Sequence, residues 1–346
     1  MRLSALAATC VAVSLLFAGA VGAAPNTEPV RLTGPLSHDN LAVYFIHGVS
    51  KPGPVPLTLA EAMAKRVVQV RETGNVNSLE IENLGDQEVF VQAGDIVKGG
   101  QQDRTLTVSL LLPPKSGRIP IASFCVEHGR WSARASEDVR TFSTSAVAVS
   151  SREMKLAMQA PLSASPSAVH GAMDTNDRQQ KVWDGVKREQ QKLSAATGVN
   201  VSAPASATSL QLALENKKLA ETRNAYVGAL KPAGEQGDDI VGYVFAVNGK
   251  INSAEIYASN GLFRKMWPKM LDAGATEAIG QKQESKDAAP TVDAVQAFLA
   301  GVEDGRASEK PLNFGARRVT RETAKAVMFE TAPAAAPWVH RSYLAK

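Results

Sequence analysis

The chain has 346 residues, of which 44% are hydrophobic, 21% charged and 5% aromatic, with 38 Lys+Arg against 34 Asp+Glu. That length accommodates one large or two modest domains, and the apolar fraction excludes wholesale disorder. A net charge of +4, without a basic block or an interleaved aromatic stripe, excludes a nucleic-acid partner. Two cysteines, Cys10 and Cys125, are too few for a disulfide scaffold or a cysteine zinc site.

Met1-Arg2 is followed by an apolar run over residues 3–17 and then by small residues at Ala18, Gly19, Ala20, Gly22, Ala23 and Ala24. This is the layout of a secretory signal peptide ending before Pro25. The run is short for a span of roughly 20 residues. Residues 1–24 are therefore read as the leader of an exported protein, with no transmembrane segment after cleavage. Cys10 leaves with the leader. Cys125 then has no intramolecular disulfide partner and is expected to behave as a small buried apolar residue.

Residues 25–149 read as β-rich. Strands are expected at Leu41–His47, 78–82, 89–92, 104–112 and 119–127, separated by Gly, Pro and Asn signals. Along 104–112, Leu106, Val108, Leu110 and Leu112 alternate with Thr105, Thr107 and Ser109, which predicts one face in a core and one toward water. Pro113-Pro114 ends that ladder. Short turns between such strands imply antiparallel pairing in a sandwich or partial barrel.

Residues 150–235 switch to a helical period, with Trp183, Val186, Gln190 and Leu193 on one stripe and Leu212, Leu219, Tyr226 and Leu230 on another. Asn216 and Arg223 interrupt the second stripe, either at its edge or facing a cleft. Two Ala/Ser/Pro stretches, 160–167 and 202–209, read as loops.

In residues 236–346, Ile240–Val247 and Lys250–Tyr257 flank Asn248-Gly249, a type I′ hairpin signal. The first of these strands is apolar on both faces and should be covered on both. A helix over 261–273 is expected to be kinked or interrupted by Pro268. Another helix carries Val292, Val295, Leu299 and Val302, and late strands fall at Val319 and 326–330. Residues 331–337 read as an Ala/Pro linker before Trp338. The fold class is α+β: an antiparallel β-rich sandwich or partial barrel, then a helical segment, then a smaller mixed region packed with the rest.

Chemistry concentrates in one segment, Gly94-Asp95-Ile96-Val97-Lys98-Gly99-Gly100-Gln101-Gln102-Asp103-Arg104, and in Cys125-Val126-Glu127-His128-Gly129-Arg130-Trp131. Gly94 and Gly99 imitate a phosphate loop, but Gly100-Gln101 stands where Lys-Ser/Thr is required. Neither a nucleophile elbow nor a dinucleotide fingerprint is present, and His38, His47, His128, His170 and His340 lack metal-ligand spacing. No metal and no cofactor are expected. Cys125 and His128 lie three apart, on opposite strand faces, which disfavours a nucleophile–base pair.

Arg104 and Gln102 share parity with Leu106, so both point inward. A buried guanidinium must meet a carboxylate, carbonyls, water or an anionic ligand. Glu127 is the natural internal partner of Arg104 or of Arg130, an ion pair that would tie strand ends together. Alternatively Gly99, Gly100, Gln102, Arg104, Glu127, Arg130 and Trp131 form a ligand site at the mouth of the strands.

These residues resemble the ARG and rhodanese-phosphatase-superfamily-associated protein domain family, which shows Gly-Gly-x-Gln-(Asn/Asp)-Arg, a Pro-Pro and then Cys-Val-Glu-x-Gly-Arg-Trp. The corresponding positions are Gly99 to Arg104, Pro113-Pro114 and Cys125 to Trp131. The match is specific between about residues 83 and 131 and weaker at Trp183 and over 241–268. The family is largely uncharacterised. Its name implies company with proposed ADP-ribose-related and conflict systems, and no reaction. With export, the resemblance implies a bacterial periplasm, or secretion.

Three functions follow as expectations. The first is a non-catalytic module whose basic fork holds a small polar or anionic ligand. The second is a hydrolase with Glu127 as general base. The third is an envelope interaction protein in which the motif is structural.

Overall fold

The computed structural model describes residues 31–134, 137–159, 168–283 and 287–346, the side chains of 168–174 excepted. The expected leader, 1–24, and the 160–167 loop lie outside the described residues. The first half holds β1 (Arg31–His38), β2 (Leu41–His47), β3 (Leu57–Thr58), α1 (Leu59–Ala64), β4 (Val68–Glu72), β5 (Ser78–Asn83), β6 (Val89–Val91), β7 (Asp95–Gly99), β8 (Arg104–Leu106), β9 (Leu110–Leu112), β10 (Gly117–Cys125) and β11 (Phe142–Ala148). Four helices follow: α2 (Arg152–Gln159), α3 (Ala168–Thr197), α4 (Leu210–Leu214) and α5 (Lys217–Gln236). The last part holds β12 (Ile240–Val247), β13 (Lys250–Tyr257), α6 (Asn260–Gly280), α7 (Val292–Glu303), β14 (Arg306–Pro311), β15 (Arg317–Glu322), β16 (Ala326–Ala332) and β17 (His340–Ala345).

The fold is α+β, as expected. Its sheets run β1-β2-β12-β13-β17-β16-β15-β14, β11-β7-β8-β10-β5-β4 and β3-β6-β9. Pairing between named strands is antiparallel except for the two-residue β3–β6 contact. Hydrogen bonding does not divide at 149 and 235: β2, from the front of the chain, pairs along β12 and so completes the largest sheet.

The hairpin β12–β13 turns at Asn248 and Gly249, with φ of 49° and 70°, the left-handed pair a type I′ turn requires. All eight residues of β12 are buried because both faces are covered. Tyr243 and Phe245 pack with Phe45 and with Phe263 and Trp267 of α6, while Val244 and Ala246 pack with Val295, Leu299 and Val302 of α7. The Trp267 ring lies 5.4 Å from Phe45 and 5.8 Å from Phe263, so one aromatic cluster anchors α6 to the sheet. A second core, including Val70, Leu79, Ile81, Val97, Leu106 and Phe142, fills the six-stranded sheet that carries the motif.

Four expectations need correction. The strand over 104–112 is two strands in different sheets, and its polar residues do not face water: Thr105, Thr107 and Ser109 are buried. Their short hydroxyls suit burial because backbone groups satisfy two of them. Thr107 Oγ1 donates to the Ala122 carbonyl at 3.3 Å and Ser109 Oγ accepts from the Ala93 amide at 2.9 Å. The stripe through Leu212 and Leu219 is broken between α4 and α5, where Asn216 caps α5 by accepting from the Lys218 and Leu219 amides. Arg223 donates to the Leu214 carbonyl, at 3.2 Å, that ends α4, and so faces a helix end, not a cleft.

Helix α6 is not interrupted at Pro268 but runs on to Gly280, because buried Ala273, Ala275, Ala278 and Ile279 prolong its apolar side. Pro268 itself is only half-buried, away from the tightest packing. Residues 331–337 are no linker. β16 continues to Ala332, and the Val339 amide returns to the Thr331 carbonyl at 2.8 Å to begin β17.

Candidate ligand-binding site

The turn from β7 into β8 is built on two glycines. Gly99 and Gly100 have φ of 113° and 55°, and a Cβ on Gly100 would lie 2.4 Å from the Phe142 ring. Both the left-handed backbone and the ring contact demand glycine. The Gly100 amide is held by the Asp138 and Thr141 carbonyls, and the Gly99 amide by Asp103 Oδ1 at 3.1 Å.

Behind the turn lies a closed knot of charge. Asp103 and Glu127 are fully buried. Glu127 Oε2 accepts from the Asp103 amide at 3.1 Å and from Arg130 Nε at 2.7 Å. Arg130 also donates to the Gly99 and Gly100 carbonyls, at 3.3 Å each, so it clamps the turn from below. Arg134 donates to Asp103 Oδ1 at 2.7 Å and to both Glu137 oxygens, at 3.1 and 3.0 Å. Ser209, the N-cap of α4, donates to Asp103 Oδ2 at 2.9 Å.

Burial, then the Glu127 carboxylate, pushes Asp103 upward against the pull of Arg134. Burial works against the charge of Arg134, yet Glu137, Asp103 and Glu127 hold it above its ordinary range. Of the two ion pairs the sequence offered, the structure forms Glu127–Arg130.

Arg104 occupies the other side of the turn. It points inward, as its parity predicts, and is fully buried. Its carboxylate partner is not Glu127 but Glu72 on β4, at 3.4 Å, and Nη1 donates to the Gln102 carbonyl at 3.1 Å. Arg104 Nε has no acceptor among the described residues. Trp131, 52% exposed, sits with its ring 5.9 Å from the guanidinium carbon.

The register of β8 on β10 sets Cys125 opposite Arg104 and Ser123 opposite Leu106, so Arg104, Cys125 and Ser123 share one face. Ten buried side-chain atoms among the described residues lack a hydrogen-bond partner, and five belong to this segment: Gln101 Oε1, Arg104 Nε, Thr105 Oγ1, Ser123 Oγ and Glu127 Oε1. Native proteins leave few such groups unsatisfied, so their concentration here marks unused polar capacity.

Cys125 is buried, and burial pushes its thiol up to about 11 although Arg104 pulls the other way. Its backbone is gripped by the Gln179 side chain of α3, which accepts from the amide and donates to the carbonyl at 2.9 Å each. His128 is exposed and meets Trp183 edge-on, so the two residues do not form a nucleophile–base pair.

The structure thus brings Gly99, Gly100, Glu127 and Arg130 into the knot and sets Gln102, Arg104 and Trp131 beside it. Sequence reasoning missed Glu72, Arg134, Glu137 and Ser209. Arg134 and Glu137 lie in an irregular loop without a period, and Ser209 announces itself only as an N-cap before Leu210. Only the demand of an inward arginine for a carboxylate pointed toward Glu72.

Two features of the rest of the chain bear on function. Among the described residues, no three His, Cys, Asp or Glu side chains are placed to hold a metal ion. No helix of the described residues is long and apolar enough to cross a membrane.

Comparison with known proteins finds no significant match among curated sequences or solved structures. A family model does match, over residues 29–344, and it describes the ARG and Rhodanese-Phosphatase-superfamily-associated Protein domain. That span covers every helix and strand described above but for the last residue of β17, not only the motif. The chain belongs to the ARG and rhodanese-phosphatase-superfamily-associated protein domain family.

Proposed function

We propose that this chain is an exported, non-catalytic module that binds a small anionic or polar ligand at the mouth formed by the ends of β8 and β10. The observation that carries this reading is the partnerless, fully buried Arg104 Nε, on a guanidinium whose carbon lies 5.9 Å from the ring of the exposed Trp131. A buried guanidinium is expensive to leave incompletely bonded, and an anion is its natural complement. Gln102 and Trp131 border the same guanidinium. Gly99, Gly100, Glu127 and Arg130 act behind it, holding the turn in shape. Glu127 is fully buried, with Oε2 committed to Asp103 and Arg130, which suits a positioning role better than proton transfer.

The test is thermal unfolding of the full chain with inorganic phosphate, citrate or acetate. One of these anions should raise the melting temperature of the wild type and not that of Arg104→Gln or Trp131→Ala. Trp131→Ala keeps the test decisive if Arg104→Gln fails to fold, since Trp131 is largely solvent-facing. Equal stabilisation of wild type and Trp131→Ala rejects the site. Export is tested separately: cells expressing residues 1–346 should yield a mature protein beginning at Pro25, and retention of Met1 contradicts it.

A further inference from the structure

A cavity of about 440 Å³ lies away from the motif, where the start of α2, the side of α3 and the end of α6 meet. Its charged lining residues are Arg152, Glu153, Lys192, Glu277 and Lys282, beside Ser151, Gln281 and Gln283. Two of these are already paired: Glu153 with Arg188 at 2.7 Å and Lys282 with Asp39 at 2.5 Å. The Arg152 guanidinium and the Lys192 ammonium, by contrast, make no hydrogen bond or ion pair among the described residues.

Glu277 answers them from the opposite sign. It is only 4% exposed, and its Oε1 accepts from the Arg152 amide and from Gln281 Nε2 at 2.9 Å each. Its Oε2 accepts no hydrogen bond among the described residues, and Glu277 lines the cavity. A simple dianion would meet this carboxylate, and a simple cation would meet Arg152 and Lys192. A molecule carrying both charges satisfies all three groups.

We propose that this cavity binds a small zwitterion, an α-amino acid or a short peptide, with its carboxylate on Arg152 and Lys192 and its ammonium on Glu277. The site shares no residue with the mouth at Arg104 and stands independently of it.

Calorimetric titration of the full chain with L-alanine, dialanine and trialanine tests this and separates free amino acid from peptide. One of the three should bind, while propionate and ethylamine, the two halves of the probe, bind roughly tenfold or more weakly. Arg152→Gln and Glu277→Gln should each weaken binding by a similar factor, and Trp131→Ala should leave it unchanged. The Glu277→Gln variant keeps an acceptor for the Arg152 amide. If that variant does not fold, exposed Lys192→Gln takes its place. The proposal fails if none of the three zwitterions binds, if propionate or inorganic phosphate binds as tightly, or if affinity survives Arg152→Gln.

Discussion

Replacing Glu189 by glutamine should remove most of a pH-dependent destabilisation built into α3. Glu189 is buried, and its Oε1 accepts from Ser150 Oγ at 2.8 Å. Burial raises its pKa from 4.5 to about 7; Ser150 and Lys192 work against this shift, and Glu277 and Glu153 reinforce it. Between these two values the folded chain holds a proton that the unfolded chain has released. Stability is therefore unaffected by this group below about pH 4.5, falls as pH rises, and is lowered in full above about pH 7. At about 1.4 kcal/mol per pH unit of displacement, the full effect is about 3 kcal/mol. Glutamine is uncharged throughout, and its carbonyl can still accept from Ser150. Urea unfolding at pH 5 and pH 8, followed by tryptophan fluorescence, should show Glu189→Gln gaining about 2–3 kcal/mol on wild type between the two conditions. Other carboxylates titrate in both proteins and cancel in the difference. A difference that does not change with pH refutes the reasoning.

The motif yields three further outcomes. Arg130→Ala leaves Glu127 buried without its closest cation and should lose about 3–5 kcal/mol in urea unfolding; a loss below about 1 kcal/mol would show that Arg134 takes over. Gly100→Ala forces a left-handed alanine against the Phe142 ring and should cost about 1–3 kcal/mol, read as a lowered melting temperature. Cys125, with its thiol pushed up to about 11, should resist a thiol reagent at pH 8 and react fully only in denaturant. Rapid labelling of the folded chain contradicts its burial.

What the sequence made legible was local. Asn248-Gly249 demanded a two-residue hairpin, and the hairpin forms there because few other residue pairs accept two left-handed positions. The inward aim of Arg104 followed from a period of two, which acts over a few residues and survives even though the strand breaks after Leu106. Its partner did not follow. Glu72 reaches Arg104 only because the six-stranded sheet curls until its β4 edge meets the chain entering β11, where Arg71 bridges to Thr141 and the Glu72 amide donates to the Arg140 carbonyl at 2.9 Å, and such closure leaves no trace in periodicity.

Where two physical causes give one pattern, the sequence misleads. Asn216 looked like a polar gap in one long helix, yet the same residue type is a favoured N-cap, and capping prevails. Pro268 argued for a break, but the hydrogen bond it removes is outweighed by the apolar burial continuing to Ile279. Thr105, Thr107 and Ser109 looked like a wet face because short hydroxyls serve water and buried backbone equally well.

The most direct test of the ligand site is the side-chain Nε–H resonance of Arg104, assigned by its loss in Arg104→Lys and followed by NMR as phosphate, citrate and acetate are titrated in turn. With no acceptor among the described residues, that proton should move saturably to the shift of a charge-assisted hydrogen bond with one of these anions, and Trp131→Ala should weaken the response. An Arg104 Nε–H that no anion moves would contradict the account and leave the motif as an ion-pair knot alone.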